Sequence, residues 1–254
     1  MSGETKRLNK YLSEAGLCSR READRLIEEG KIGLKRAGDP ERSLARLGDT
    51  VGEGDQVFYQ DRPVKGIPSR KTYLMLNKPR GIICTSDSRV RENVISFVDF
   101  DHRITYAGRL DKDTTGLLLL TDDGDLINDL MRSAKGHEKE YICTVTRPLT
   151  EEFIDAMSRG LTIEVPDRDH RPVRRKTRPC HVERLEDKTF RIVLTQGYNR
   201  QIRRMCETLG YKVAALKRVR ILSLCLGDLE VGKWRHLTEK EVDSLKKAMT
   251  KQKK

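Results

Sequence analysis

The segment Ala107-Gly108-Arg109-Leu110-Asp111-Lys112-Asp113-Thr114-Thr115-Gly116 crowds carboxylates and cations into a polar turn that runs straight into the apolar stretch Leu117 to Leu120. A polar turn feeding a buried strand sets its residues at the mouth of a cleft. Side chains two apart share a face in extended chain, so Arg109 and Asp111 point the same way. A neighbouring guanidinium favours the ionised carboxylate, the form that acts as a nucleophile or a base. Standing alone, the segment is more simply read as a turn in which Asp111 and Asp113 bond their own backbone. A calcium loop fits only in part. Asp111, Asp113, Thr115, Gly116 and Asp122 occupy its first, third, fifth, sixth and twelfth places, but the twelfth should be Glu and Leu117 to Leu120 is too apolar for its second half.

Other segments gain meaning only if they converge on this one. Tyr141 in His137-Glu138-Lys139-Glu140-Tyr141 opens a strand and reads either as a core aromatic or as a ring for base stacking. Arg200, Arg203 and Arg204 fall on one side of a helix whose other side carries Ile202, Met205, Cys206 and Leu209. They form a solvated face or a clamp for phosphate and carboxylate. In Lys217-Arg218-Val219-Arg220-Ile221-Leu222 cations alternate with apolar residues, the pattern of a strand buried on one side and basic on the other.

The elements that must position these residues are legible in part. Leu8, Tyr11, Leu12 and Ala15 recur at helical spacing up to Gly16, and Ser19 with Glu22 forms a capping box for a second helix closed by Gly30. Ala23, Leu26 and Ile27 make its apolar stripe and leave Arg21 and Arg25 outside. Strands are expected at Lys31 to Leu34 and Asp55 to Tyr59, with a loop from Ala37 to Gly54 between them. Arg62 to Lys71, rich in proline and cations, reads as a linker. Beyond it come strand signals at Tyr73 to Leu76, Ile82 to Thr85, Leu117 to Thr121, Tyr141 to Val145 and Phe190 to Leu194. Helices are expected at Leu126 to Met131, Phe153 to Met157, Asn199 to Leu209 and after the Thr238 cap. The pattern is α+β without regular βαβ alternation. The expected division is residues 6–61, a linker at 62–71, a larger domain at 72–246 and a basic tail at 247–254.

Composition narrows the partner. Among 254 residues, 51 Lys+Arg against 39 Asp+Glu leave a net charge of +12, which points to a polyanion. At 36% hydrophobic the chain can bury a real core, yet no run reaches the roughly 20 apolar residues of a membrane span, and the N-terminus lacks a secretory signal. A soluble cytoplasmic protein is expected. The six cysteines show no C-x-x-C pair and the five histidines no ligand spacing; neither G-x-x-x-x-G-K-[ST] nor G-x-G-x-x-G occurs. No metal or cofactor is expected.

Together these segments resemble a known family. Arg7 to about Tyr59, above all RLNKYLSEAGLCSRREADRLIEEGKI, is similar to the S4 RNA-binding domain, and Tyr73 to about Leu237 to the catalytic domain of bacterial ribosomal RNA pseudouridine synthases. The motifs are LNKPRGIICT, AGRLDKDTTGLLLLTDDGDL, HEKEY, GYNRQIRRMCETLGY and LKRVRI. The branch is the one typified by the small-subunit enzyme. HEKEY and NRQIRRMCE look most like its large-subunit members, one of which also acts on a tRNA. The resemblance implies a small αL-type S4 module plus a mixed, mainly antiparallel sheet flanked by helices. It implies that Asp111 is the catalytic aspartate, that Arg109 helps to open the RNA stack, that Tyr141 packs on the target base and that Arg203 pairs with Asp111. It implies that Leu110, Lys112, Arg200, Gln201, Ile202, Ile221, Leu222 and Ser223 line the RNA path, and that Arg7, Lys10, Arg20, Arg21, Arg25 and Lys31 bind RNA from the S4 module. The implied partner is structured RNA, 23S rRNA and possibly a tRNA, met by a monomer. Ser223 stands where the nearest relatives are expected to carry Asn, and the charged loop Arg36 to Arg46 is longer than usual; both bear on target choice rather than chemistry.

The implied reaction suits what the residues supply. Uridine and pseudouridine are isomers, so no oxidant, metal or energy source is needed. A buried base must first be flipped out, at about a few kcal/mol. The rival reading is a non-catalytic ribosome-assembly or RNA-chaperone protein that uses the same basic surfaces; against it stands Asp111, an anion among cations where pure RNA binding gains nothing from one. An S4-bearing aminoacyl-tRNA synthetase fragment would need H-I-G-H or K-M-S-K-S, which are absent.

Overall fold

The computed structural model describes residues 5–131, 136–167 and 169–251. Two compact units emerge, one built from residues up to Thr72 with Phe100–Ile104 and Asp122–Gly124, the other from the rest.

The first unit carries β1 (Lys6–Arg7), α1 (Leu8–Glu14), α2 (Arg20–Glu28), β2 (Ile32–Lys35), β3 (Ser43–Leu44), β4 (Thr50–Val51), β5 (Gln56–Tyr59) and β6 (Arg62–Pro63). Ser19 caps α2, its hydroxyl accepting from the Glu22 amide at 3.1 Å. Glu22 does not close the box; its carboxylate pairs with Arg25 at 2.5 Å instead. Leu8 and Leu12 of α1 pack with Ala23, Leu26 and Ile27 of α2 over Ile32, Leu34 and Val57. The stretch Ala37 to Gly54, expected as loop, holds β3 and β4. Each is two residues long, too short for any alternation to show in sequence. Arg62–Pro63, the start of the expected linker, pairs with β5.

The second unit holds β7 (Tyr73–Lys78), α3 (Val94–Val98), β8 (Thr105–Ala107), β9 (Thr115–Thr121), α4 (Gly124–Met131), β10 (Lys139–Val145), α5 (Glu151–Arg159), β11 (Thr162–Pro166) and β12 (Pro172–Lys176). These are followed by β13 (His181–Glu186), β14 (Thr189–Leu194), α6 (Gln201–Thr208), β15 (Val213–Ile221), β16 (Leu224–Cys225), β17 (Trp234–His236) and α7 (Glu239–Lys251). A nine-stranded sheet runs β13-β14-β10-β15-β9-β7-β17, with β16 on β15 and β8 on β9. Every pairing is antiparallel except β15 with β9. That exception joins two half-sheets, each with its own core. Cys143, Phe153, Phe190, Ile192, Met205 and Cys206 gather around β10, β14, α5 and α6. Met75, Leu117, Leu119, Leu126, Leu245 and Met249 gather around β7, β9, α4 and α7.

Two expectations change. Ile82 to Thr85 is no strand; Ile83 makes one isolated bridge to Asn93, because the Ile82 carbonyl is engaged by the Lys78 ammonium instead. The expected tail begins inside α7, whose Thr238 cap closes in both directions: the Glu241 amide donates to the Thr238 hydroxyl at 3.2 Å and the Thr238 amide to the Glu241 carboxylate at 2.8 Å. Met249 is thereby buried in the core around β7 and β9, while residues 252–254 lie outside those described.

The junction of the half-sheets requires glycine. Gly116 has φ +102°, and a Cβ there would lie 2.2 Å from the Arg218 carbonyl oxygen and 2.7 Å from its amide nitrogen. Neither backbone can yield without breaking the parallel register Lys217↔Thr115, Arg218↔Gly116. Gly116→Ala is therefore expected to destabilise the protein by about 3 kcal/mol or more, read as a large drop in the thermal unfolding midpoint. A shift of less than about 1 °C, well under the several degrees that such a change produces in a domain of this size, would show that the junction tolerates a side chain.

Candidate active site

Asp111 sits in the turn that leads into β9, and the segment Lys78 to Cys84 fixes that turn from below. Lys78 is fully buried; its ammonium donates to the carbonyls of Pro79 at 2.8 Å, Ile82 at 2.7 Å and Lys112 at 3.4 Å. The Gly81 amide donates to the Lys112 carbonyl at 2.9 Å, and the Leu110 amide reaches the Cys84 sulfur at 3.4 Å. The Thr114 amide closes the turn onto the Asp111 carbonyl at 3.0 Å. Burial pushes the Lys78 ammonium below its usual range, and the carboxylates of Asp111 and Asp113 pull the other way. A buried cation thus tethers two loops through their carbonyls and adds positive potential under the carboxylates.

Above this turn opens a cleft of about 120 Å³. Seven residues expected at the site line it: Arg109, Leu110, Asp111, Tyr141, Arg200, Gln201 and Ile202. They come from the turn before β9, from β10 and from the start of α6, so the cleft lies over the seam between the half-sheets. Arg200 holds φ +52° immediately before α6, so that the helix starts at Gln201 rather than at Asn199, and the Arg200 guanidinium is left exposed.

Other expected residues lie elsewhere. Arg203 makes no ion pair with Asp111. It is 8% exposed, not on a solvated face, and its Nη2 donates to the Asp113 carbonyl at 3.3 Å, while Nε has no partner among the described residues. Its hydrogen bond goes to the backbone of the turn and not to the Asp111 carboxylate. Ile221 and Leu222 are buried in the core around β7 and β9 rather than on an RNA path, because β15 turns into β16 there; Ser223 and Lys112 are exposed outside the cleft. The basic side expected for β15 is not free either. Arg218 is 2% exposed, with Nε donating to the Leu117 carbonyl at 2.8 Å. Arg220 is held by Glu140 at 2.7 Å and Glu138 at 3.1 Å, which turns the two glutamates of HEKEY into clamps between β10 and β15.

Sequence reading missed Thr114, Leu194, Gln196, Gly197, Tyr198 and Leu216, which complete the cleft wall. Gln196 and Tyr198 arrive on the loop between β14 and α6, and nothing local marks them. The Gln201 side-chain oxygen accepts from the Tyr198 amide at 3.0 Å and so fixes that loop to α6. In the first unit Arg7, Arg20, Arg21, Arg25 and Lys31 are exposed and Lys10 is half-buried. Arg25 is paired with Glu22 at 2.5 Å, Lys31 with Glu29 at 2.6 Å and Lys10 with Glu14 at 3.6 Å.

A half-buried carboxylate, an aromatic ring and flanking arginines in one open cleft suit a polyanion from which one ring is drawn in. The chain's similarities agree. Residues 72–208 match the RNA pseudouridylate synthase family and residues 6–32 the S4 domain. The dual-specificity RNA pseudouridine synthase RluF of Escherichia coli K12 is 44% identical over 94% of this chain and 78% of its own. Ribosomal large subunit pseudouridine synthase B of Bacillus subtilis is 33% identical, over 94% and 95%. Ribosomal small subunit pseudouridine synthase A of Haemophilus influenzae is 30% identical, over 95% and 100%. A crystal structure of a pseudouridylate synthase superposes with a TM-score of 0.63 at 29% identity, over 94% of this chain and 99% of that one.

Lys139 gives this part of the sheet a pH dependence. It lies two residues before Tyr141 on β10, between Leu194 and Ile221 of the adjoining strands, with Nζ 3.3 Å from the His137 carbonyl. Burial, then the nearby Arg218 cation, lowers its pKa to about 8. Between about 8 and the ordinary lysine value of 10.5, the unfolded chain holds a proton that the folded one lacks, so stability rises with pH in that window, by at most about 1.4 kcal/mol per unit. Urea unfolding at pH 7.5 and 9.5 should show this rise in the native protein and its loss in Lys139→Met. Equal slopes in the two would mean that Lys139 titrates normally.

Proposed function

The chain belongs to the RNA pseudouridylate synthase family, with an S4 domain ahead of the catalytic one, and is an isomerase of uridine in RNA; from that premise we propose that Asp111 is its catalytic carboxylate. The observation that carries this reading is the shared cleft, in which Asp111 meets Tyr141, Arg109 and Arg200. The target nucleotide leaves its stack, Arg109 entering the space it vacates and Tyr141 packing on the uracil. These contacts offset an unstacking cost of about a few kcal/mol. Asp111 then acts at the ribose, as a nucleophile at C1′ or as a base at C2′. The glycosidic bond to N1 breaks, uracil turns, and C5 bonds to C1′. The C5 hydrogen leaves as a proton and N1 gains one, so the product is an isomer of the substrate. Arg203 is a positioning residue in this scheme: through the Asp113 carbonyl it holds the turn that presents Asp111.

The substrate proposed is structured ribosomal RNA of the large subunit, with a tRNA as second substrate, met by a monomer in the cytoplasm. Similarity over 94% of the chain to a dual-specificity enzyme supports that choice. The S4 module, residues 6–61, grips folded RNA through its exposed cations, and residues 72–246 carry the chemistry.

Tritium release from total rRNA and from tRNA, each labelled at C5 of uridine, tests the chemistry, because isomerisation frees that hydrogen. Asp111→Asn should cut release by about 10³-fold or more while RNA affinity stays within about twofold, since it removes charge and spares shape. Substantial residual release would refute the assignment. Arg21→Ala with Arg25→Ala should reduce the slope of log K against log salt by about 0.7 to 0.9 for each phosphate that is no longer neutralised; an unchanged slope would move the docking surface elsewhere.

A further inference from the structure

Much of the cleft wall is apolar and buried: Leu110, Leu194, Ile202 and Leu216, together with the half-buried ring of Tyr141. A second ring, Tyr198, lines the same cleft and is 37% exposed. Phe97 and Trp234 are about as exposed, yet neither lines the cleft. Among the described residues neither Tyr141 nor Tyr198 packs on another aromatic ring, so the two are not stacked on each other. The loop that carries Tyr198 is pinned. Its amide donates to Gln201 Oε1 at 3.0 Å, and the Gln201 amide returns a bond to the Tyr198 carbonyl at 3.2 Å. Gln201 is itself buried, so a buried side chain fixes the backbone of an exposed one. On either side, the Gln196 side-chain oxygen accepts from the Arg178 amide at 3.2 Å and the Asn199 carbonyl from Arg204 Nε at 3.1 Å. Gly197 keeps the space beside the ring open, with nothing within 4 Å of the position a Cβ would take.

A large ring held in water on a fixed backbone, in the wall of a cleft, lacks burial that a ligand in the cleft would restore. The reaction makes a demand that such a ring meets. Between loss of the bond to N1 and formation of the bond to C5, uracil is joined to nothing. C5 lies two ring positions from N1, so a turn within the plane of the base brings it to C1′. Hydrogen bonds to the edge of the base are directional and would fix one orientation. Contact with its flat face leaves the base free to turn in plane while barring its escape.

We propose that Tyr198 covers the face of the flipped uracil turned away from Tyr141 and holds the base in the cleft while it is detached. The proposal rests on the reading of this cleft as the uridine site. Without the ring, a competing reaction opens. Water adds at C1′ and leaves an abasic ribose, and uracil departs; the hydroxyl of the water ends on C1′ and its proton on N1, whichever route Asp111 takes. Retention of the base and exclusion of that water are two results of the same contact.

The test is Tyr198→Ala in the full chain, with 23S rRNA that carries tritium at C5 and a carbon label in the uracil ring as the probe. The side chain is exposed, so the thermal midpoint should stay within a few degrees of the native protein. Loss of a base–aromatic stack made only after the base has flipped should lower kcat for tritium release by about tenfold or more and leave KM within about threefold. Free uracil bearing both labels, which the native enzyme does not release, should appear alongside. Tyr198→Phe keeps the ring and should match the native enzyme in both readouts. The slope of log K against log salt should not change, because no phosphate contact is removed. A folded Tyr198→Ala with native kcat and no free uracil would overturn the proposal alone. A loss carried by KM with a changed salt slope would overturn it too, and make Tyr198 a contact to RNA beyond the uracil. A native protein that frees no tritium from any RNA would sink the cleft reading, and the part given to Tyr198 with it.

Discussion

At Gly116 the backbones of β9 and β15 approach so closely that a methyl group has no place between them. That approach is the parallel step in an otherwise antiparallel sheet, and it joins two half-sheets with separate cores. An antiparallel pair can be joined by a tight hairpin, whereas a parallel step needs a long crossover. Here the crossover runs from Thr121 to Val213 and contains β10, β14, α5 and the helix α6, which between them supply the opposite wall of the cleft. One close approach therefore places the Asp111 turn against Tyr141, Arg200 and Gln201.

Charge inside the second unit serves position as much as binding. Lys78, Arg203 and Arg218 are buried and spend their donors on carbonyls of the Asp111 turn and of β9. Arg220 is tied down by Glu138 and Glu140. A buried ammonium or guanidinium without such partners is costly, so each of these bonds is strongly directional. The net charge of +12 is thus not a uniform coating. Part of it holds the scaffold, and part is exposed, as at Arg109 and Arg200 beside the cleft and at Arg21 and Arg25 on α2.

Much of the machinery is legible in the sequence. The capping residues Ser19 and Thr238, the stripe of α2 and the polar turn before Leu117 each depend on neighbours within a few positions, and the structure keeps them. Legibility fails where an element draws its meaning from a distant strand. Ile82 to Thr85 carries strand-type residues yet gives a carbonyl to a buried lysine, and β3, β4, β11 and β12 are defined by pairing rather than by pattern. Helical spacing puts Arg203 with Arg204 on a wet face, but the Asp113 carbonyl draws it inward.

The sequence by itself determined the residue types at the candidate reaction centre, the α+β class, the two-part organisation and a polyanionic partner. Those follow from local spacing, from summed charge and from motifs whose members lie side by side in the chain. Which arginine faces the cleft and which supports it, that Gln196 and Tyr198 belong to its wall, and that Ile221 and Leu222 belong to the core, were decided by tertiary structure alone. The reason is distance along the chain. Each depends on contacts between segments tens of residues apart, made only when the parallel junction at Gly116 closes.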